Sequence, residues 1–240
     1  MTTRLYRFFA LSLVVSLAAI STQSLAEGNT VYLSENSTAT GQKVNLVLPV
    51  SGSAYDYFSG SLNITTGASL KQDGSIANGT SFLAYCIDPF QWSSTSPLAY
   101  STAALSTLGT GREANVSKLY SQSFASTSGN SDNSAAFQLA LWELAKDDGK
   151  LNEGKVHITN NTDRDIVTLA SSMISNVKNS VAGPNQYSFN LYTNGKNQDY
   201  LVATMTSVTP VPEPETYAML LAGLGLIGFT ASRRRVSKES

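Results

Sequence analysis

Apolar and polar residues alternate along the first part of the chain, as expected for strands with one buried face. In residues 42–50 every second side chain is apolar, and residues 57–64 and 81–87 carry similar short runs between clusters of Gly, Asn and Ser. Two further segments, 187–192 and 200–208, flank Asn194-Gly195 and predict a hairpin with an extended loop. The pattern therefore predicts strands at both ends of the body of the protein.

Between these strand groups the spacing of apolar residues changes to that of helices. We predict helices over residues 113–124, 134–146 and 162–177, the second with Asn133 as its N-cap and the third opening on Thr162 and Asp165 in a capping-box-like arrangement. Strands, then helices, then strands predict an α+β fold, with β-sandwich or barrel-like strands and a helical insertion.

The N-terminus has the sequence pattern of a cleavable signal peptide. Basic residues precede an apolar run over residues 8–20, and Ser24-Leu25-Ala26 supplies a small-x-small site. A first membrane helix is the alternative, but the run is about 13 residues, short of the roughly 20 that span a bilayer. We expect a signal peptide cleaved between Ala26 and Glu27.

The C-terminus combines three features in a fixed order. Pro212-Glu213-Pro214 precedes an apolar run over residues 217–231, and the run ends at the basic cluster formed by Arg233, Arg234 and Arg235. As a helix, residues 216–232 reach about 26 Å, against a hydrocarbon core of about 30 Å. This marginal length favours a transient stop-transfer element, with a simple tail anchor as the alternative.

These three features together resemble the PEP-CTERM sorting signal. The resemblance implies two partners, the general secretion machinery and a membrane-embedded exosortase that removes the helix and the arginines. It also implies transient inner-membrane insertion through that helix, in a Gram-negative bacterium that makes exopolysaccharide. The predicted organisation is a signal peptide at 1–26, an extracellular domain at 27–210 and a sorting signal at 211–240.

The composition of residues 27–210, the predicted extracellular domain, excludes several classes of function. Without the two arginines of the leader and the four basic and three acidic residues of the tail, residues 27–210 hold 10 basic and 14 acidic residues, a net charge near −4. A mildly acidic body makes nucleic acid an improbable partner. The sequence shows no metal-ligand cluster, P-loop or dinucleotide fingerprint, so we expect no cofactor and no metal.

Two residues in apolar surroundings are chemically conspicuous. Cys86 is the only cysteine of the chain, and an odd cysteine in a secreted protein indicates an intermolecular bridge, a free thiol or another covalent use. Gln138 lies with Leu141, Trp142 and Ala145 on the apolar stripe of the second predicted helix. A buried amide without partners costs about 1–3 kcal/mol, so Gln138 needs a partner.

The segments 85–88 (Tyr-Cys-Ile-Asp) and 137–142 (Phe-Gln-Leu-Ala-Leu-Trp) resemble the two motifs of the thioester domains of bacterial surface adhesins. The resemblance implies that the Cys86 sulfur attacks the Gln138 amide, expels ammonia and leaves an intramolecular thioester, shielded by Tyr85 and Trp142. Phe137 departs from the family pattern, which usually has Thr or Ser directly before the glutamine.

The expected function is therefore an exported surface or biofilm-matrix adhesin, not an enzyme, that binds an amine-bearing surface or matrix target covalently. A passive structural or carbohydrate-associated matrix protein is the alternative. A hydrolase using Cys86 and His157, the only histidine, is a third reading, for which the sequence offers no orienting group.

Overall fold

The computed structural model describes residues 30–181, 183, 185–206, 219, 221–222 and 224. Within these residues the chain forms strands and helices in the following order: β1 (Thr30–Val47), β2 (Ala54–Gly67), β3 (Thr80–Cys86), β4 (Leu98–Ala103), α1 (Thr110–Ser123), α2 (Ser131–Lys146), β5 (His157–Ile158), α3 (Arg164–Asn179), β6 (Tyr187–Thr193) and β7 (Tyr200–Met205). Short 3-10 turns at Leu105–Leu108 and Phe124–Thr127 flank α1.

The strands form one antiparallel sheet that closes on itself. Its order is β2-β3-β7-β6-β4-β1-β5, and β1 also pairs with β2, so six strands make a ring to which β5 is added. The start of β1 makes the closure, because Tyr32 faces Ala99 of β4 on one side and Gly67 of β2 on the other. The α+β class and the barrel-like arrangement of the strands are confirmed.

Most predicted segments match observed elements, with shifted ends. The structure adds the first half of β1, all of β4 and the two-residue β5, which carry little alternation of their own. The predicted N-cap of α2 is wrong. Asn130 caps the helix, accepting a hydrogen bond from the backbone N–H of Asn133, one turn earlier than expected.

The predicted start of α3 is also wrong. Asp163 is the N-cap, and its side chain accepts from the N–H of Asp165. The Thr162 hydroxyl instead exchanges hydrogen bonds of 2.9 and 3.0 Å with the backbone of Asn45 on β1. Tertiary contact with the sheet therefore takes the place of the predicted local cap.

Helix α2 is the centre of the molecule. All its residues from Ser134 to Ala145 are buried, because α2 lies between the sheet on one side and α1 and α3 on the other. The sequence predicts one apolar stripe, whereas the structure buries every face of this stretch, as in a core helix. Gln138 is 1% exposed and Glu143 is fully buried within it.

Both targeting segments lie largely outside the described residues. The cleavage site at Ala26 and Glu27 and the Pro212-Glu213-Pro214 motif are among those not described, and the predicted sorting helix is described only at four positions. No helix within the described part of the chain is long and apolar enough to cross a membrane.

Candidate functional site

The structure brings Cys86 and Gln138 into direct contact. The Cys86 N–H donates to Gln138 Oε1 at 3.0 Å, and Gln138 Nε2 donates to the Cys86 carbonyl at 2.6 Å. Cys86 is the last residue of β3, 2% exposed, and Gln138 reaches it from the middle of α2. The amide thus finds both its partners on the backbone of the one cysteine.

A single face of α2 makes this contact. Ser134, Gln138, Trp142 and Lys146 follow one another at intervals of four residues, which places them along one side of a helix. Near the start of α2 the Ser134 hydroxyl lies 2.7 Å from that of Tyr85, and at its end Lys146 pairs with Asp88 at 2.9 Å. Three of these four side chains, Ser134, Gln138 and Lys146, therefore bind α2 to β3 and to the residues just after it.

The start of α2 is also seated on the β1–β2 pair. Ser134 donates to the carbonyl of Thr40 at 2.6 Å, and Ser59 donates to the carbonyl of Ala135 at 2.8 Å. The two strands run close together here, because Gly41 faces Gly60 and a Cβ on either would collide with backbone of the other strand. These contacts fix the position of α2 along the strands, and with it the position of the Gln138 side chain relative to Cys86.

A cavity of about 220 Å³ opens over the pair. Cys86, Gln138 and Trp142 lie among its walls, so the structure brings three of the four predicted thioester residues together. Tyr85 is not among the lining residues. Its ring packs against Phe124 and Phe137, and neighbouring residues of a strand point to opposite faces.

Burial raises the pKa of the Cys86 thiol to about 12, with the polar side chains of Gln198 and Trp142 acting in the opposite direction. The thiol donates weakly to the Asp88 carbonyl at 3.4 Å. At neutral pH the thiol is thus protonated, which lowers its nucleophilicity, since the thiolate is the nucleophilic form. A reaction of this sulfur with a neighbouring group of the protein is therefore favoured over a reaction with a reagent in solution.

Phe137 serves the core. It is fully buried, with its ring centroid 4.8 Å from Tyr85, 4.9 Å from Tyr120 and 5.8 Å from Phe124. An aromatic side chain fits this cluster, whereas the hydroxyl residue that the thioester family usually has there would leave part of it empty.

Several cavity residues were not found from the sequence. Gln91 and Trp92 follow β3, and Gln198 lies in the β6–β7 loop, which is held to Trp92 by a backbone hydrogen bond of 3.1 Å. For Gln198, the only feature of the sequence that pointed to this region was the extended loop predicted between β6 and β7. His157 is exposed on β5 and does not line the cavity, so the structure does not bring together the pair needed for the hydrolase reading.

A family model described as the PEP-CTERM protein-sorting motif matches residues 210–235. The match confirms the sorting signal predicted from Pro212-Glu213-Pro214, the apolar run and the arginine cluster. The chain therefore carries the C-terminal signal of an exported, sorted protein.

Among solved structures, the chain is similar to the N-terminal thioester domain of a surface protein from Clostridium perfringens, with 14% identity and a TM-score of 0.40, over 69% of this chain and 100% of that one. It is also similar to the N-terminal domain of the Streptococcus pyogenes pilus tip adhesin Cpa, with 14% identity and a TM-score of 0.42, over 76% and 97%. No curated protein matches the sequence.

Proposed function

We propose that this chain is an exported surface or biofilm-matrix adhesin that stores an intramolecular thioester between Cys86 and Gln138 and uses it to bind an amine covalently. The observation that carries the proposal is the paired contact between the Gln138 amide and the backbone of Cys86, buried beneath one cavity. This contact supports the proposal because it holds the only cysteine of the chain next to the side-chain amide of a core glutamine.

The proposed reaction balances without a cofactor. The Cys86 sulfur bonds to Gln138 Cδ, the Cδ–Nε2 bond breaks, and the thiol proton leaves with the nitrogen as ammonia. The Cys86 N–H, 3.0 Å from Gln138 Oε1, is placed to stabilise negative charge on that oxygen as the sulfur adds. An incoming amine then attacks Cδ and forms an amide, the Cδ–sulfur bond breaks, and a proton from the amine returns the sulfur to a thiol.

The test is the intact mass of the mature chain, which we expect to begin at Glu27. A thioester lowers the mass by one ammonia, and incubation with methylamine should add one amine that maps to Gln138. The matched control is Cys86→Ser, which keeps the backbone partners of Gln138 and removes the sulfur. Full sequence mass and no methylamine uptake by the wild type would refute the proposal.

One observation favours a second function, that of a passive structural or carbohydrate-associated matrix protein. The Gln138 amide is already paired with backbone at both of its polar atoms, which is sufficient to explain a buried glutamine without chemistry. On that reading Cys86 reacts with a thiol reagent after unfolding, whereas a thioester blocks it.

For delivery, we propose processing at both ends. The sorting motif at residues 210–235 supports recognition by an exosortase after transient inner-membrane insertion. The body, residues 27–210, is then the extracellular domain.

A further inference from the structure

Three polar atoms in the wall of the Cys86–Gln138 cavity are buried and have no hydrogen-bond partner within the described part of the chain. They are Tyr57 Oη, Gln91 Oε1 and Trp142 Nε1. Trp142 is only 3% exposed, and its N–H lowers the pKa of the Cys86 thiol without meeting the geometry of a hydrogen bond. Buried polar groups are nearly always paired, and each unpaired one costs about 1–3 kcal/mol. Three in one cavity indicate a site built for a polar occupant.

The three atoms differ in what they require. The indole N–H of Trp142 only donates, Gln91 Oε1 only accepts, and the Tyr57 hydroxyl does both. Glu35 and Asp56 add carboxylate acceptors to the same lining. A ligand that satisfies the set must therefore offer several donors and acceptors, as a group of hydroxyls does.

An aromatic ledge lies at the same cavity, formed by Tyr55, Tyr57 and Trp92. Tyr55 is 58% exposed and Trp92 55% exposed. The rings of Tyr57 and Trp92 lie 6.0 Å apart and within 23° of parallel, and Tyr55 meets Tyr57 edge-on at 5.5 Å. Two exposed aromatic rings, each in contact with the half-buried Tyr57 and lying beside unpaired polar atoms, indicate a ligand surface that is apolar on one side.

We propose that the amine taken up at this site is the free amino group of a hexosamine, with its sugar ring on the aromatic ledge and its hydroxyls on the unpaired polar atoms. This rests on the proposed thioester. A pyranose ring combines a C–H-rich face with several hydroxyl donors and acceptors, whereas the side chain of lysine has no polar group besides the amine that reacts. The cavity of about 220 Å³ is below the roughly 300–1,000 Å³ of sites for drug-sized ligands, which suits one sugar ring.

The chemistry of the nucleophile agrees with this choice. Only a neutral amine attacks Gln138 Cδ, and the oxygen substituents of a hexosamine make its amine less basic than that of lysine, so more of it is neutral near pH 7. The new bond is an amide between Gln138 Cδ and the sugar nitrogen. The Cδ–sulfur bond breaks, and the amine's proton passes to the Cys86 sulfur, so no further reactant is needed.

The experiment compares rates of adduct formation by intact mass, using the full mature chain with methylamine, glucosamine or Nα-acetyl-lysine at equal concentrations of neutral amine. We expect glucosamine to react about tenfold faster than the lysine derivative, the scale of one good aromatic contact with its hydrogen bonds. In Trp92→Ala the ratio of the glucosamine rate to the methylamine rate should fall by a similar factor. Leu83→Ala, which removes an exposed side chain away from the cavity, should leave that ratio unchanged.

The outcomes separate the two proposals. Methylamine uptake with equal or faster reaction of the lysine derivative would overturn the hexosamine assignment alone and indicate a protein target. A Trp92→Ala ratio equal to that of the wild type would overturn it as well. No methylamine uptake would overturn the thioester and the hexosamine assignment together.

Discussion

The Gln138 side chain is bonded to the backbone of Cys86, so a change at Gln138 affects the last residue of β3. Both hydrogen bonds of the amide end on Cys86, so truncation of Gln138 leaves a buried N–H and a buried C=O without partners. Loss of ammonia removes one of these two bonds, that from Nε2 to the Cys86 carbonyl. The proposed thioester therefore exchanges a backbone hydrogen bond for a covalent bond between α2 and β3.

Phe137 gives a test at the same scale. Phe137→Thr places a hydroxyl residue before Gln138 but empties part of the cluster formed with Tyr85, Tyr120 and Phe124. We expect the free energy of unfolding to fall by about 3 kcal/mol, the range of large-to-small changes at fully buried aromatic sites. Urea unfolding measures it, with Phe137→Leu as the control that keeps most of the volume. A change below 1 kcal/mol in both variants would contradict the packing role of Phe137.

At the scale of elements, α2 positions the side chains of the site, and a side chain of its last turn binds the loop that follows. Glu143 Oε2 accepts from the N–H groups of Gly149 and Lys150 at 3.1 and 3.0 Å, while Oε1 is buried with no partner within the described residues. Burial first, and then the negative charges of Asp147 and Asp148, raise the pKa of Glu143 from its ordinary 4.5 to about 8. The folded state therefore favours the protonated carboxyl, although the two backbone N–H groups themselves bond more strongly to the ionised form.

This pKa predicts a pH dependence of stability. A carboxyl whose pKa is raised in the folded state contributes stability that is present below pH 4.5 and is lost as the pH rises through about 8. We expect Glu143→Gln to flatten the fall in unfolding free energy between pH 5 and pH 8, where the wild type loses up to roughly 1.4 kcal/mol per pH unit from this group. Urea unfolding at each pH provides the measurement.

Glu153→Gln is the matched control, since it removes the same charge from an exposed side chain in the same loop. Parallel pH profiles for the wild type and Glu143→Gln would show that Glu143 does not titrate in this range.

At the scale of the whole molecule, the closed ring of strands suits a protein that works outside the cell. Six strands pair around the ring, and only the short β5 extends it, so few backbone groups are left at a free edge. The cavity lies where β1, β2, the residues after β3 and the β6–β7 loop meet. Segments far apart in the chain therefore hold the site, and the sorting motif follows the last strand directly.

The sorting signal predicts a phenotype of the whole chain. Neutral replacement of Arg233, Arg234 and Arg235 should impair processing and surface delivery, because the predicted 17-residue segment would be poorly held at the inner membrane without a cytoplasmic charge block. Cell fractionation and the mass of the exported protein measure this effect. Replacement of the nearby Lys238 alone is the control, and unchanged delivery of the triple variant would count against exosortase recognition.

The sequence by itself predicted all three helices and most of the strands, the sorting motif, and Cys86 and Gln138 as candidate residues, and the resemblance to thioester domains added Trp142. These depend on local periodicity, on a contiguous motif and on the scarcity of one residue type, all of which are visible without a fold. Helix boundaries were less accessible, since the Thr162 hydroxyl bonds to Asn45 on a distant strand rather than capping its own helix.

Only the tertiary structure decided what Gln138 pairs with and what surrounds it. The hydrogen bonds to Cys86, the turning of Tyr85 away from the cavity, and the grouping of Tyr57, Gln91 and Trp92 around it all depend on how strands pair and how α2 sits on the ring. Such contacts join segments tens of residues apart. These contacts leave no pattern in the local sequence, because the partner of each residue comes near it only when the chain folds.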